Sequence, residues 1–317
     1  MKSVNYTASK LSRSSRSIVK VGALAAFGLT ALAAAPRSEA QFFGLVAAGP
    51  ANFAVVNLGG NFQFNADNNS QFITVTGLKG NVGLMSGSSL SISGYPKTTA
   101  SGELDLGPGL SYTNNTGAGF AGGVVTNVSG LSAGGAVQTN ATATATALAA
   151  LAADQTYASI SSFTTLNATH SGQNVIKITG DISNTLDLNP GAFSNVTFVI
   201  DVGGKIQLAG GQGLVNLGGL SSLSTIYNVT GGVTISGGGT AITSQGIILA
   251  PNSAIAWDAA PLDGELIGKS VALVSGGRVN NPFVTQASVP EPGAVAMFVG
   301  TGVIGMMGLT MRKRSNK

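Results

Sequence analysis

Residues 197–208 read Thr197-Phe198-Val199-Ile200-Asp201-Val202-Gly203-Gly204-Lys205-Ile206-Gln207-Leu208. Two short β-type runs are joined by a Gly-Gly pair. β-branched and aromatic side chains suit a pleated strand, and glycine supplies the tight corner between strands. Runs of the same kind recur along the chain: Phe72–Val75, Val82–Met85, Leu90–Ile92, Val175–Ile178, Leu186–Leu188, Val233–Ile235, Ile247–Leu249, Ile255–Trp257 and Val271–Val274. Several alternate apolar and polar residues, as half-buried strands do. Their spacing is uneven and no fixed repeat is visible. The pattern predicts a mainly β body, an irregular β-solenoid (β-helix-like), with a sandwich as the alternative.

One segment breaks the pattern. Ala141–Ala158 is Ala-rich and free of Gly and Pro, and Asn140 can cap its start. Leu148, Leu151 and Tyr157 share much the same helical face, so one helix near 140–158 is expected to pack beside the β body. The threonines at 142, 144 and 146 weaken its first half.

Composition limits the function classes. The chain has 46 glycines among 317 residues, 9% charged residues, 44% apolar residues and no cysteine. Glycine follows no three-residue period, which excludes collagen, and the apolar content is enough to build a core. Without cysteine there is no thiol chemistry, Cys-ligated zinc or iron–sulfur cluster. The net charge of +4 belongs to the two ends. Residues 1–40 carry +5, residues 290–317 carry +3, and the body between them carries −4. An acidic body argues against a nucleic-acid partner.

The two ends read as sorting signals. Lys2 to Lys20 is basic and polar, Val21–Ala35 is uncharged and apolar, and Ser38-Glu39-Ala40 offers a small-x-small site. That is the layout of a signal peptide over 1–40, with cleavage by signal peptidase expected between Ala40 and Gln41. At the other end Pro290-Glu291-Pro292 precedes an uncharged stretch, 293–311, and the basic residues Arg312, Lys313 and Arg314. Nineteen helical residues at ~1.5 Å each span about 28 Å, close to a bilayer core of ~30 Å. A C-terminal transmembrane helix is therefore expected. The basic end at 312–317 would stay cytoplasmic and the body, 41–289, would lie outside the inner membrane.

This tail, 290–317, resembles the PEP-CTERM sorting domain in all three of its parts and in their order. The resemblance implies an exosortase-type processing enzyme as partner. It also implies a membrane-anchored precursor, followed by delivery to the surface or extracellular matrix of a Gram-negative bacterium that makes exopolysaccharide. Within the body, Gly246-Ile247-Ile248-Leu249-Ala250-Pro251-Asn252 and Leu262-Asp263-Gly264-Glu265-Leu266-Ile267-Gly268-Lys269-Ser270 resemble the choice-of-anchor A domain family. That family implies a β-rich surface domain and carries no catalytic residue over. The general look, secreted and Thr/Gly-rich with one helix beside an irregular solenoid, also resembles ice-binding-like β-solenoids. No ordered Thr-x-Thr ladder is visible along successive runs.

Two motifs imitate enzymes. Gly130-Leu131-Ser132-Ala133-Gly134 fits a nucleophile elbow, but the single histidine, His170, sits in a polar loop. Gly117-Ala118-Gly119-Phe120-Ala121-Gly122 fits a dinucleotide fingerprint without the flanking strand and helix that motif requires. In so Gly-rich a chain both are expected by chance. The acids Glu103/Asp105 and Asp263/Glu265 are each two apart, which on a strand puts them on one face. Such a pair could serve glycoside hydrolysis or bind Ca²⁺. Trp257, beside Asp258, could stack on a sugar ring. The candidate ligand contacts are therefore Trp257, Asp263 and Glu265, with no catalytic residue, cofactor or metal expected. The expected role is a non-enzymatic surface or matrix protein, adhesive or exopolysaccharide-associated. The alternatives are a polysaccharide-active β-helix enzyme and an ice-binding-like protein.

Overall fold

The computed structural model describes residues 53–65, 76–93, 99–100, 102–112, 119–120, 122–237, 242–275 and 277–281. The signal peptide, the sorting tail and the run Phe72–Val75 lie outside the described residues. Among the described residues no helix is long and apolar enough to cross a membrane.

The first strands are β1 (Phe53–Asn57), β2 (Asn61–Asn65), β3 (Thr76–Lys79), β4 (Asn81–Leu84), β5 (Ser89–Ser93), β6 (Thr99–Ala100), β7 (Leu104–Leu106), β8 (Gly119–Phe120) and β9 (Val124–Val125). A helix, α1 (Ala136–Ala149), follows. Then come β10 (Gln155–Tyr157), β11 (Thr164–Asn167), β12 (Gln173–Ile178), β13 (Leu186–Asn189), β14 (Thr197–Val202), β15 (Ile206–Leu208) and β16 (Leu214–Asn216). The last five are β17 (Thr225–Val229), β18 (Val233–Ser236), β19 (Ser244–Asp258), β20 (Pro261–Val274) and β21 (Arg278–Asn280).

Among the described residues every strand pairing is parallel, and the pairings form three ladders, which are the faces of a solenoid. Face A stacks β10, β12, β14, β17, β19, β20, β1, β4, β7 and β9. Face B stacks β15, β18, the far halves of β19 and β20, then β2 and β5. Isolated bridges from Ile160 to Ile182 and from Ile182 to Ile206 extend it downward. Face C begins with β11, β13 and β16, and continues higher up through the starts of β19 and β20 to β21, β3, β6 and β8. With rungs ~4.8 Å apart, ten rungs make a rod about 43 Å long.

Spatial order differs from chain order. The chain enters at β1 and climbs to β9, and α1 then runs alongside face A. The chain next starts the lowest rung at β10 and climbs until β20 and β21 meet β1 and β3 from below. The N-terminal strands therefore stack on top of the C-terminal ones, and the solenoid closes across a seam between residues some two hundred positions apart. Along that seam Val55, Val56 and Asn57 face Leu266, Ile267 and Gly268. Phe62, Gln63 and Phe64 face Val271, Ala272 and Leu273.

Two apolar clusters follow from strand alternation. Inward residues such as Val55, Phe62, Ile176, Phe198, Tyr227, Trp257 and Leu266 fill the lumen. Outward residues of face A, among them Val56, Val175, Val199, Ile226, Ile247 and Ile267, form a second layer under α1. The helix meets it with Val137, Ala141, Ala145 and Leu148, spaced four, four and three apart. Alanine at the centre of this stripe lets the helix approach closely. Three hydrogen bonds tether α1: Gln138 Nε2 donates to Leu58 O at 3.4 Å, Asn228 Nδ2 to Ala145 O at 3.0 Å, and Lys177 Nζ to Ala149 O at 2.8 Å. The last places a cation at the negative end of the helix.

The helix differs from its sequence-based boundaries of 140–158. It starts after Gly135, whose extended backbone forms the cap, and Asn140 lies inside it. It ends at Ala149, and Gln155–Tyr157 is a strand. Nothing in the Ala-rich sequence stops the helix. The stop comes from tertiary pairing, because Gln155–Tyr157 gains a parallel partner in Ile176–Ile178, and Tyr157 packs against the lumen cluster.

Asn57 ties the seam together. Its Oδ1 accepts the Val271 N–H at 2.9 Å, and its Nδ2 donates to Gly60 O at 2.8 Å and Ser88 Oγ at 2.9 Å. It is fully buried and spans three successive rungs. Asn57→Ala should destabilise the chain by roughly 2–4 kcal/mol, because buried groups on both sides lose their partners. Urea unfolding checks this, and a midpoint unchanged from wild type would contradict it.

Candidate functional site

The helix covers the middle rungs of face A and leaves Val124 and Val125 of β9 exposed, so faces B and C are the wider open surfaces for a ligand. On face B the inward column runs Ile206, Val233, Ile255, Val271, Phe62 and Leu90 by register. The next residue of each strand points outward, giving the column Gln207, Thr234, Ala256, Ala272, Gln63 and Ser91. Beside it run Ala254, Ser270, Asn61 and Ser89. These side chains are short or uncharged, and Gln207, Thr234, Ala254, Asn61, Ser89 and Ser91 are exposed. The result is a flat strip of hydroxyls, amides and methyls, with rungs about 4.8 Å apart. Sequence reasoning missed this strip as a site. The signal was present in single polar residues set between inward apolar ones, as at Ile206-Gln207-Leu208.

The sequence-predicted contacts lie elsewhere. Trp257 is fully buried, stacked in the lumen between Ile235 and Leu273, and its indole N–H donates to Ala260 O at 2.9 Å. Its ring has no face open to a sugar. Asp263 and Glu265 flank a corner where Gly264 stacks on Gly246. Gly264 has φ +152°, and a Cβ there would lie 1.9 Å from Gly246 O, so the corner admits only glycine. Each acid is held by an asparagine: Asn280 Nδ2 donates to Asp263 Oδ1 at 2.9 Å, and Asn281 Nδ2 to Glu265 Oε1 at 3.0 Å. Asn281 also donates to Phe53 O at 2.8 Å across the seam. The Asp263/Glu265 pair thus ties the last rung to the first strand.

Glu265 is half-buried as a residue while its carboxyl is enclosed, and burial pushes its pKa up to about 7 against the Asn281 hydrogen bond. Asp105 is also raised, first by burial and then by the charge of Glu103, while Asn81 opposes the shift. On face A Asp105 follows Gly83 and precedes Val125, so the Glu103/Asp105 pair sits near the upper end.

The enzyme-like motifs separate in space. Ser132 closes a short turn whose Leu131 O accepts the Ser86 N–H, in the upper rungs. His170 is exposed in the loop between β11 and β12 at the lower end, where Nε2 lies 3.4 Å from Asp154 Oδ1. Its pKa is raised by the Ser171 carbonyl and by Asp154. Of the glycine fingerprint, Gly119–Phe120 is strand β8 and does not open a helix. Among the described residues no group of three His, Cys, Asp or Glu side chains could hold a metal ion.

These observations define a three-sided parallel β-solenoid braced by a helix, with no assembled catalytic centre among its described residues. A family model for the ice-binding-like adhesive domain matches residues 21–281, and the chain belongs to that family. No curated protein matches. Solved structures with related architecture include an ice-binding protein from the Antarctic ascomycete Antarctomyces psychrotrophicus, at 14% identity and TM-score 0.48, covering 78% of this chain and 98% of that one. A glycosylated ice-binding protein from an Arctic yeast has 15% identity and TM-score 0.49, covering 78% and 96%. An ice-binding protein from an Antarctic biological consortium has 17% identity and TM-score 0.48, covering 73% and 88%.

The raised Glu265 sets a pH dependence. Its folded pKa, about 7, lies above the ordinary 4.5, so its carboxyl costs no stability below pH 4.5 and costs progressively more as pH rises through 7. Glu265→Gln keeps an acceptor for Asn281 and removes the charge. It should stabilise the chain by about 1–3 kcal/mol at pH 8 and change little at pH 4. Denaturant unfolding at both pH values measures this, and equal effects at the two would contradict it.

Proposed function

We propose that this chain is an exported, non-enzymatic adhesin of the cell surface or extracellular matrix, and that face B is its contact surface. The observation that supports this most directly is the open strip of face B, nearly free of charge and mixed in its small polar and apolar side chains. Such a strip suits a ligand that is itself extended and ordered, presenting many hydroxyl groups, as packed exopolysaccharide does. Each rung adds a weak polar contact, and the six stacked strands of face B, held on a rigid rod, cost little further ordering.

The ends fit the same reading. The signal peptide would export the body through signal peptidase. The Pro290-Glu291-Pro292 tail would hold it in the inner membrane until an exosortase-type enzyme releases it. Arg312, Lys313 and Arg314 would keep the tail end cytoplasmic.

Ice binding is the second reading, and membership of an ice-binding-like family favours it. The outward column speaks against it, because Gln207, Thr234, Ala256, Ala272, Gln63 and Ser91 are not one repeated residue. Flexible glutamines interrupt any rigid array of hydroxyls.

Co-sedimentation of the purified chain with the producer's insoluble matrix tests the proposal. Wild type should pellet with the matrix, and Thr234→Arg should reduce binding tenfold or more with an unchanged melting temperature. Absence of wild-type retention at any salt concentration would overturn it. Thermal hysteresis should be flat, and ice shaping lost in Thr234→Arg would favour the second reading.

A further inference from the structure

Face C carries a feature that face B lacks. Its lowest part, β11, β13 and β16, is a separate three-stranded sheet. Above it the backbone ladder is interrupted. Leu214 N–H donates to Ser244 Oγ at 3.2 Å, and Asn216 N–H to Gln245 Oε1 at 2.9 Å, so side chains replace the next strand. The small sheet is therefore a bounded platform.

Its edges are aromatic. Among the described phenylalanines, Phe62, Phe64 and Phe198 fill the lumen, and Phe53 and Phe120 pack against a core. Phe163 and Phe193 are exposed, at 64% and 43%. Phe163 immediately precedes β11, and Phe193 sits in the turn after β13, so the rings flank the platform from opposite ends of its strands. The strands between them, four residues at ~3.3 Å each, are roughly 13 Å long. Ile242, next to Gly213 on the Phe163 edge, is also exposed at 37%. Leaving two rings in water forgoes hydrophobic stabilisation that the fold gains from its other phenylalanines.

Between the rings the outward residues of β11 and β13 are polar, and the half-buried Val215 of β16 stands beside Asp187. Thr165 and Asn167 are exposed, and Asp187 and Asn189 are half-buried. Asn189 Nδ2 donates to Asn167 Oδ1 at 2.9 Å, and Asn189 Oδ1 accepts the Gly191 N–H at 3.0 Å. The two amides are thus tied in a ladder, at the exposed Asn167. One carboxylate and no cation stand on these strands, which disfavours a polyanionic partner.

We infer that this platform is a second binding site, taking a single neutral glycan chain. Phe163 and Phe193 stack on sugar rings, and Asn167, Asp187 and Thr165 exchange hydrogen bonds with hydroxyl groups. Aromatic faces combined with fixed polar groups match a pyranose, which is apolar on its flat faces and polar at its rim. Faces B and C are different sides of the rod, so one molecule can lie against packed matrix and hold a free chain together. This adds cross-linking to adhesion, and it stands independently of how face B behaves.

The test is calorimetric titration of the purified chain with neutral hexasaccharides of glucose, mannose and galactose, and with a uronic-acid hexasaccharide. At least one neutral hexasaccharide should bind and the charged one should not. Phe163→Ala and Phe193→Ala should each weaken binding about fivefold, and the double variant tenfold or more. Phe163→Tyr should retain it. Both positions are exposed, so the melting temperature should not move. Thr234→Arg should leave hexasaccharide binding intact, which separates this site from face B. Binding that survives the double phenylalanine variant, or no neutral hexasaccharide bound by wild type, would overturn the inference.

Discussion

The parallel pairing of β1 with β20 is the constraint on which the rest depends. It joins the chain's first described rung to its last, with Asn57 accepting from Val271 and Asn281 donating to Phe53 across the join. Below the seam the rod can grow by adding neighbouring rungs. At the seam it must bring together segments about two hundred residues apart, at a loop-closure cost no local contact offsets. Buried asparagines suit that task. Each supplies donors and an acceptor in one rigid group, and mispairing by one rung would leave them unsatisfied.

The helix follows from the same arrangement. A chain that finishes its upper rungs first must travel back down before starting the lower ones. Alongside face A it covers an apolar outer layer that would otherwise face water. That cover assigns the faces: the middle of one lies under α1, and two stay open. Face B is flat and nearly neutral, and the lower part of face C is edged by aromatic rings. The acids that looked chemical in sequence serve this architecture, since Asp263 and Glu265 are held by the asparagines of the last rung.

Much of the fold was legible because inward residues alternate. Val175–Ile178, Leu186–Leu188, Ile206–Leu208 and Val233–Ile235 all lie within strands. Trp257 was legible in the same way, since Ile255 two residues earlier shares its inward direction, and that alternation outweighs its appeal as a sugar-stacking ring. The rung order was not legible. Backbone ladders accept any short β run, so nothing in β1 names β20 as its partner. The helix boundaries were hidden too, because Ala-rich sequence fits a helix well past Ala149 and only the pairing of Gln155–Tyr157 ends it. The site was half visible. Small polar residues between apolar ones marked face B, but which columns align depends on the register.

The chain has no cysteine, so adhesion through face B can be followed by thiol labelling. Thr234→Cys places a single thiol at the middle of that face, and Ala147→Cys places one on the exposed side of the helix. Maleimide labelling of each is followed with and without the producer's matrix. Slowed labelling at position 234 on the matrix, with unchanged labelling at position 147, is the predicted result. Equal labelling at position 234 in matrix-bound and free protein would contradict it.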